Sequence, residues 1–156
     1  MIAYPIGTSG QALIFSVEVV GWFTRHQQLR CWQREAGGQL FARFRESGIH
    51  IVEATGPGAT DRRRRTSYEP DRVAEQLEID ERFRNGLHFV GDWHTHPEDL
   101  PRPSPIDLAS TAEGFRRSRH GLNAFVMAIV GRAILPGGLY VSLHDGADLY
   151  TLRPAL

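Results

Sequence analysis

Apolar and polar positions along the chain change their spacing several times, and each change marks a predicted element. The apolar side of a first helix at residues 16–28 consists of Val17, Val19, Val20 and Phe23. Ser16 precedes this spacing and can cap the first turn. Two strands are predicted at residues 39–45 and 49–53, because β-prone side chains flank the Ser47-Gly48 turn. The first third of the chain therefore reads as a helix followed by a hairpin.

Further helices and strands are predicted in the rest of the chain. Helices are predicted at residues 71–84 and 105–119. Strands are predicted at residues 87–94, 124–134, 139–144 and 147–152. The side chains expected to point inward from the helix at residues 71–84 are Val73, Leu77, Ile79 and Phe83. This order predicts an α/β sandwich with a mixed β-sheet flanked by helices, and we expect residues 1–156 to form a single domain.

The segment at residues 56–70 shows neither the apolar spacing of a helix nor that of a strand. It contains Gly56-Pro57-Gly58 and a run of four arginines, Arg62 to Arg65, a composition that repels itself and breaks regular structure. We expect a mobile, solvated loop here. The alternative is that the arginines dock the acidic face of a partner protein.

Composition and charge exclude several classes of protein. Eighteen basic and eighteen acidic residues balance, which argues against nucleic acid as the main partner. Cys31 is the only cysteine, so a disulfide scaffold and a zinc site built on several thiolates are both excluded. The chain has no apolar run of membrane-spanning length and begins without the pattern of a secretory signal. A cytoplasmic protein without a membrane partner is expected.

Two histidines stand at the end of the strand predicted at residues 87–94. His94 and His96 are two positions apart, so their side chains leave the same face. Ser104 and Asp107 follow in the spacing H-x-H-x7-S-x2-D. Two imidazoles and a carboxylate leave a tetrahedral metal one open position, which is the arrangement of a catalytic site. The alternatives are a serine-capped helix start for Ser104 and Asp107, and histidines that hydrogen-bond without a metal.

This string resembles the hallmark of the JAMM (MPN+, or JAB) metallopeptidases. The resemblance implies the cytidine-deaminase-like fold of that family and Zn²⁺ held by His94, His96 and Asp107. It also implies that Ser104 donates a hydrogen bond to the oxyanion. The family has a catalytic glutamate after its first helix, and Glu35 in the stretch E-A-G-G-Q-L stands at that place. Glu53, after the next strand, is the alternative general base.

The motif sequences V-E-A-T-G-P-G and W-H-T-H-P are most similar to those of bacterial JAMM proteins of antiphage CBASS operons. The resemblance implies an isopeptidase that cuts after the extended C-terminal tail of a ubiquitin-like or cGAS-like protein conjugate. Partners would be E1- and E2-like proteins of the same operon. Two alternatives stay open. One is a JAMM peptidase that processes sulfur-carrier proteins, and the other is a JAMM-fold scaffold that binds proteins without catalysis.

Overall fold

A computed structural model describes residues 1–155 and shows an eight-stranded mixed sheet with helices on both faces. The strands of this sheet are β1 (Ile2–Pro5), β2 (Ala12–Phe15), β3 (Gly37–Arg45), β4 (Gly48–Ala54), β7 (His88–Thr95), β8 (Phe125–Val130), β9 (Leu139–His144) and β10 (Leu149–Thr151). A separate two-stranded ribbon pairs β5 (Arg62–Arg63) with β6 (Tyr68–Glu69). The predicted fold class, a mixed α/β sandwich, is confirmed.

The order of strands across the sheet is β1-β2-β4-β3-β7-β8-β9-β10. Neighbouring strands are antiparallel except for the parallel pairs β2–β4 and β7–β8. The parallel pair β7–β8 is joined through a helix, as a parallel connection requires. The carboxyl end of β7 therefore lies near the middle of the sheet, where the next helix begins close to it.

Three helices cover the sheet, and none among residues 1–155 is long and apolar enough to cross a membrane. They are α1 (Val17–His26), α2 (Arg72–Arg84) and α3 (Pro105–Arg117). Each begins at a side-chain cap, from Ser16, Asp71 and Ser104 respectively. On one face of the sheet, Phe23 of α1 packs its ring against Phe15 and Trp93. The opposite face carries α2 and α3.

The expectation that α2 turns its apolar residues inward is wrong for three of the four residues, and only Ile79 is half-buried. Val73, Leu77 and Phe83 are 74%, 65% and 66% exposed. Polar side chains make the contacts with the sheet instead: the Thr55 hydroxyl donates to Glu78 at 2.7 Å, and Arg82 donates to Glu53 at 2.8 Å. A helix that docks through hydrogen bonds and ion pairs does not need an apolar inner face.

Several other elements differ from the predictions. The strands β1 and β2 were not expected, although Tyr4, Leu13 and Phe15 from them are fully buried in the core. The strand predicted at residues 124–134 ends at Val130, and the helix predicted at residues 105–119 ends at Arg117. The segment at residues 56–70 is not an irregular loop throughout, because the ribbon β5–β6 forms inside it.

Candidate metal centre

Three side chains from two neighbouring elements converge at the end of β7. His94 Nε2 lies 3.1 Å from His96 Nε2 and 3.2 Å from Asp107 Oδ1. His96 Nε2 lies 3.3 Å from Asp107 Oδ2. The three side chains are between 10% and 17% exposed. The structure therefore brings the two histidines and the aspartate of the sequence motif to one point.

The donor set and its dimensions fit a metal ion. Ligand atoms 2.0–2.2 Å from a tetrahedral zinc are separated by roughly 3.3–3.6 Å, close to the spacing of these atoms. When both neutral rings donate from Nε2 to the Asp107 carboxylate, their two N–H groups meet at a nitrogen–nitrogen distance of only 3.1 Å, which is an unfavourable contact. The other ring nitrogen of His96, Nδ1, is buried without a hydrogen-bond partner and lies 3.8 Å from Glu98 Oε2. A cation between the three side chains resolves this conflict.

Asp107 is held by a reciprocal cap at the start of α3. Its backbone N–H donates to Ser104 Oγ at 3.1 Å, and its carboxylate accepts the Ser104 N–H at 2.7 Å. The helix-cap interpretation of Ser104 and Asp107 is thus compatible with metal binding, because each carboxylate oxygen also faces a histidine. The cap fixes the carboxylate before any metal binds.

The histidines are fixed by the residue between them. Thr95 is fully buried, accepts the Ala36 N–H at 2.9 Å and donates to Gln28 Oε1 at 2.8 Å. The Thr95 N–H donates in turn to the Ala36 carbonyl oxygen at 2.8 Å. The end of β7 is therefore joined to the segment that carries Glu35, which immediately precedes Ala36.

Glu35 lies in the same cavity as the two histidines and Asp107, and only 6% of it is exposed. The ribbon β5–β6 holds its backbone on both sides. The Glu35 N–H donates to the Arg64 carbonyl oxygen at 2.7 Å, and Arg63 Nε donates to the Glu35 carbonyl oxygen at 2.7 Å. Three residues after Glu35, the backbone of Gly38 packs directly against the backbone of Thr55. A Cβ at this position would collide with Thr55, so only glycine fits there.

The electrostatics of the centre follow from burial and from the charges packed together. Burial raises the pKa of Glu35 to about 7, with the charges of Asp107 and Glu98 adding to the effect and His96 opposing it. Burial disfavours the charged Asp107, but hydrogen bonds from His94 and His96 hold its pKa well below the usual range. Burial also opposes a charged His96, and the Asp107 carboxylate nevertheless raises its pKa.

The alternative base, Glu53, lies elsewhere. Its carboxylate is 37% exposed and forms an ion pair with Arg82 at 2.8 Å, beside a different cavity from the one that contains the histidines. Ser104 lines the cavity of the histidines. The structure thus places Glu35 and Ser104 beside the three converging side chains and Glu53 apart from them.

The cavity is a groove of about 360 Å³ that continues from the histidines between α2 and α3. Its lining includes carboxyl groups that the sequence did not single out, among them Asp92 of β7 and Glu75 of α2. Burial raises the pKa of Glu75 to about 7 and that of Asp92 to about 6. The only pattern that could have revealed Asp92 is its position two residues before His94. Trp93 between them is a core residue, 1% exposed, that donates to the Thr55 carbonyl oxygen at 2.8 Å.

Comparisons with known proteins agree with this arrangement. A "CD-NTase/cGAS isopeptidase" of Escherichia coli (strain TW11681) is 32% identical over 123 residues, covering 77% of this chain and 76% of that protein. A "Probable metalloprotease y4qB" of Sinorhizobium fredii (strain NBRC 101917 / NGR234) is 34% identical over 67 residues, 40% of this chain and 41% of that protein. The solution structure of protein DSY2949 from Desulfitobacterium hafniense superposes with a TM-score of 0.63 at 16% identity, covering 89% of this chain and 88% of that one.

The family itself is shown by a match over most of the chain. Residues 23–140 match Prok-JAB, described as prokaryotic homologues of the JAB domain. The matched stretch contains the three converging side chains, Glu35 and Ser104. This chain therefore belongs to the Prok-JAB family.

Proposed function

We propose that this chain is a zinc-dependent isopeptidase that cuts the bond after the C-terminal tail of a conjugated cGAS-like nucleotidyltransferase, in bacterial antiphage defence. The observation that carries the proposal is the placement of Glu35 in one cavity with His94, His96 and Asp107. The name of the Escherichia coli relative supports the substrate class. E1- and E2-like proteins that form the conjugate would be the partners.

Zn²⁺ held by His94, His96 and Asp107 would polarise the scissile carbonyl and make an attacking water more acidic. Glu35 accepts the proton of that water and later delivers it to the departing amine. A pKa of about 7 suits both steps, because such a carboxyl group can take up and release a proton near neutral pH. The backbone bonds to Arg63 and Arg64 keep Glu35 at the cavity while the proton moves.

Ser104 stabilises the negative charge that develops on the carbonyl oxygen. Its Oγ already accepts the Asp107 N–H, so the hydroxyl hydrogen is free to donate. A donor positioned before the reaction stabilises this charge without reorganisation. The side chain of Ser104 therefore both caps α3 and serves the reaction.

The test measures metal content and cleavage on the same preparations. The substrate is a CD-NTase whose C-terminus is joined to an acceptor protein by an isopeptide bond. We expect wild type to contain about one zinc per chain and His94→Ala to lose it. Glu35→Gln should keep the zinc and cleave at least about 100-fold more slowly. Glu53→Gln is the matched control, and its cleavage rate should equal that of wild type.

Three results would contradict the proposal. Absence of zinc from wild type would reject the metal mechanism. Equal slowing by Glu35→Gln and Glu53→Gln would reject Glu35 as the base. Tight binding of the conjugate by zinc-loaded wild type without cleavage would identify a scaffold instead of an enzyme.

A further inference from the structure

We propose that the groove beside the metal centre contains a subsite, formed by Asp92 and Glu75, that binds a cationic side chain of the substrate's tail. The inference rests on the proposed function and specifies a feature of the tail that this site cuts. Neither carboxyl group has a part in the chemistry described above.

Asp92 faces the groove from the strand that carries the histidines. Because Asp92 and His94 are two residues apart on β7, their side chains leave the same face of the sheet. Asp92 Oδ1 has no accessible surface and no hydrogen-bond partner among the described residues. A carboxylate whose inner oxygen has no partner in the protein is costly to keep charged. The rest of the half-buried Asp92 side chain lines the open groove, where a cation that arrives with the ligand can compensate this charge.

Glu75 contributes a second carboxyl group from α2. Its side chain is 13% exposed and accepts a hydrogen bond at 3.0 Å from Arg72, whose own side chain is 69% exposed. Arg72 is the only arginine or lysine among the groove-lining residues, all of which lie within residues 1–155. This part of the groove thus contains two poorly solvated acids, Asp92 and Glu75, and one largely solvated base, Arg72. The uncompensated charge in this part of the groove is negative.

The surroundings favour an organic cation over a metal ion. Within residues 1–155, the one group of three side chains placed to hold a metal is His94, His96 and Asp107, and it does not include these two acids. Phe125 and Met127 also line the groove. Their apolar surface suits the aliphatic stem of an arginine or lysine, whose charged end can then reach the two carboxyl groups.

The position of the subsite predicts which tail residue carries the charge. Residues two apart on a strand lie about 6.6 Å apart, and the side chains on one face of an extended peptide repeat at the same interval. In our proposal the tail runs along the groove from Asp92 towards the histidines, where the scissile carbonyl lies, so the side chain that reaches Asp92 belongs to the residue two positions before that carbonyl. We therefore assign the cation to the third residue from the end of the tail.

The test uses fluorogenic peptides acetyl-Ala-Ala-Ala-X-Ala-Gly-aminomethylcoumarin, in which X is arginine or citrulline. Citrulline has nearly the same shape as arginine but no charge. Wild type should cleave the arginine peptide with a kcat/KM at least about 10-fold higher, as expected for a charge-assisted contact. Asp92→Asn and Glu75→Gln should each reduce this ratio towards one. Glu81→Gln, an exposed acid on the same helix, is the matched control and should preserve it.

A second measurement makes the result independent of catalysis. Fluorescein-labelled Ala-Ala-Ala-X-Ala-Gly-amide is titrated with zinc-loaded Glu35→Gln, and binding is followed by fluorescence polarisation. Equal cleavage of both peptides by wild type would overturn the subsite and leave the isopeptidase standing. If neither peptide nor the protein conjugate is cleaved, the proposed function fails. Tighter binding of the arginine peptide would then still support the subsite, and equal binding would overturn it.

Discussion

Ser104 caps α3 and, in the proposed mechanism, also donates a hydrogen bond to the oxyanion, and one substitution can separate these two roles. Glycine is a good helix cap but has no hydroxyl group. Replacing a serine cap by glycine costs only a few tenths of a kcal/mol, whereas loss of an oxyanion donor reduces kcat by about 10²–10³. We expect Ser104→Gly to keep its melting temperature within a few degrees and to lose that much activity. Thermal unfolding and steady-state kinetics check this, and an unchanged kcat would reject the donor role.

Arg63 holds the backbone of Glu35, the proposed general base, and does not itself line the groove. In Arg63→Ala the Glu35 carbonyl oxygen loses its 2.7 Å bond from Nε, while the bond from the Glu35 N–H to Arg64 remains. Small displacements of a catalytic group are costly. We expect kcat to fall roughly 10-fold, with KM nearly unchanged.

Arg62 supplies the control, because it precedes Arg63 on the same strand but is exposed. Arg62→Ala should not change kcat. If both variants raise KM and leave kcat intact, the ribbon binds substrate, as in the alternative in which the arginines dock an acidic partner. Partial recovery of kcat in Arg63→Lys would further support a positioning role.

The difference between these residues explains how much of the site could be predicted. His94, His96, Ser104 and Asp107 lie within fourteen positions, and their spacing follows from one strand end and one helix cap. The bond from Arg63 to Glu35 spans 28 positions, so no local pattern contains both partners. A run of four arginines has the composition of a solvated loop, and only tertiary contacts show that one of them binds a backbone carbonyl.

At the scale of elements, a local pattern predicts the buried side of α1 but not that of α2, which depends on long-range contacts. The prediction for the apolar side of α1 is correct for Val19 and Phe23, which are buried, and wrong for Val17, which is 66% exposed. On α2 the spacing of Val73, Leu77 and Phe83 does not mark the inner side, because Glu78 and Arg82 make the hydrogen bonds to the sheet. Strands β1 and β2 are four residues each, too short to show a clear alternation, and their place in the sheet comes from long-range pairing.

The polar inner side of α2 gives the fold a pH dependence. Burial raises the pKa of Glu75 to about 7, so between about pH 4.5 and 7 the folded protein binds more protons than the unfolded chain. The stability contributed by the protonated group is complete below the unfolded pKa and is lost as the pH rises towards 7. We expect Glu75→Gln to remove this part of the decline. Urea unfolding of metal-free protein at several pH values measures it.

Glu81→Gln is again the appropriate control, because its side chain is 61% exposed. Its stability should follow the same pH profile as wild type. A decline between pH 4.5 and 7 that is identical in wild type and Glu75→Gln would show that other acids account for it, and the neighbouring Asp92 and then Glu35 would be the next to substitute.

At the scale of the whole molecule, the centre joins parts of the fold that otherwise share few contacts. β7 pairs with β3 and β8 in the middle of the sheet, whereas α3 contacts β8 and β9. The histidines belong to the end of β7 and Asp107 to the start of α3, so one bound ion would connect the central strand to the helix that covers its neighbours. Binding at this point therefore stabilises the folded state as a whole, since the unfolded chain does not bring the ligands together.

Removal of the metal should accordingly lower the stability of the entire protein. At a free zinc concentration 100 times Kd, binding contributes about 2.7 kcal/mol, which corresponds to a melting temperature roughly 5–10 °C higher for a chain of this size. Because protons compete with the metal for the histidines, the difference should shrink as the pH falls below neutrality. Calorimetry with and without a chelator measures it. His94→Ala should melt at the same temperature in both conditions, and an equal shift in that variant would place the stabilising ion elsewhere.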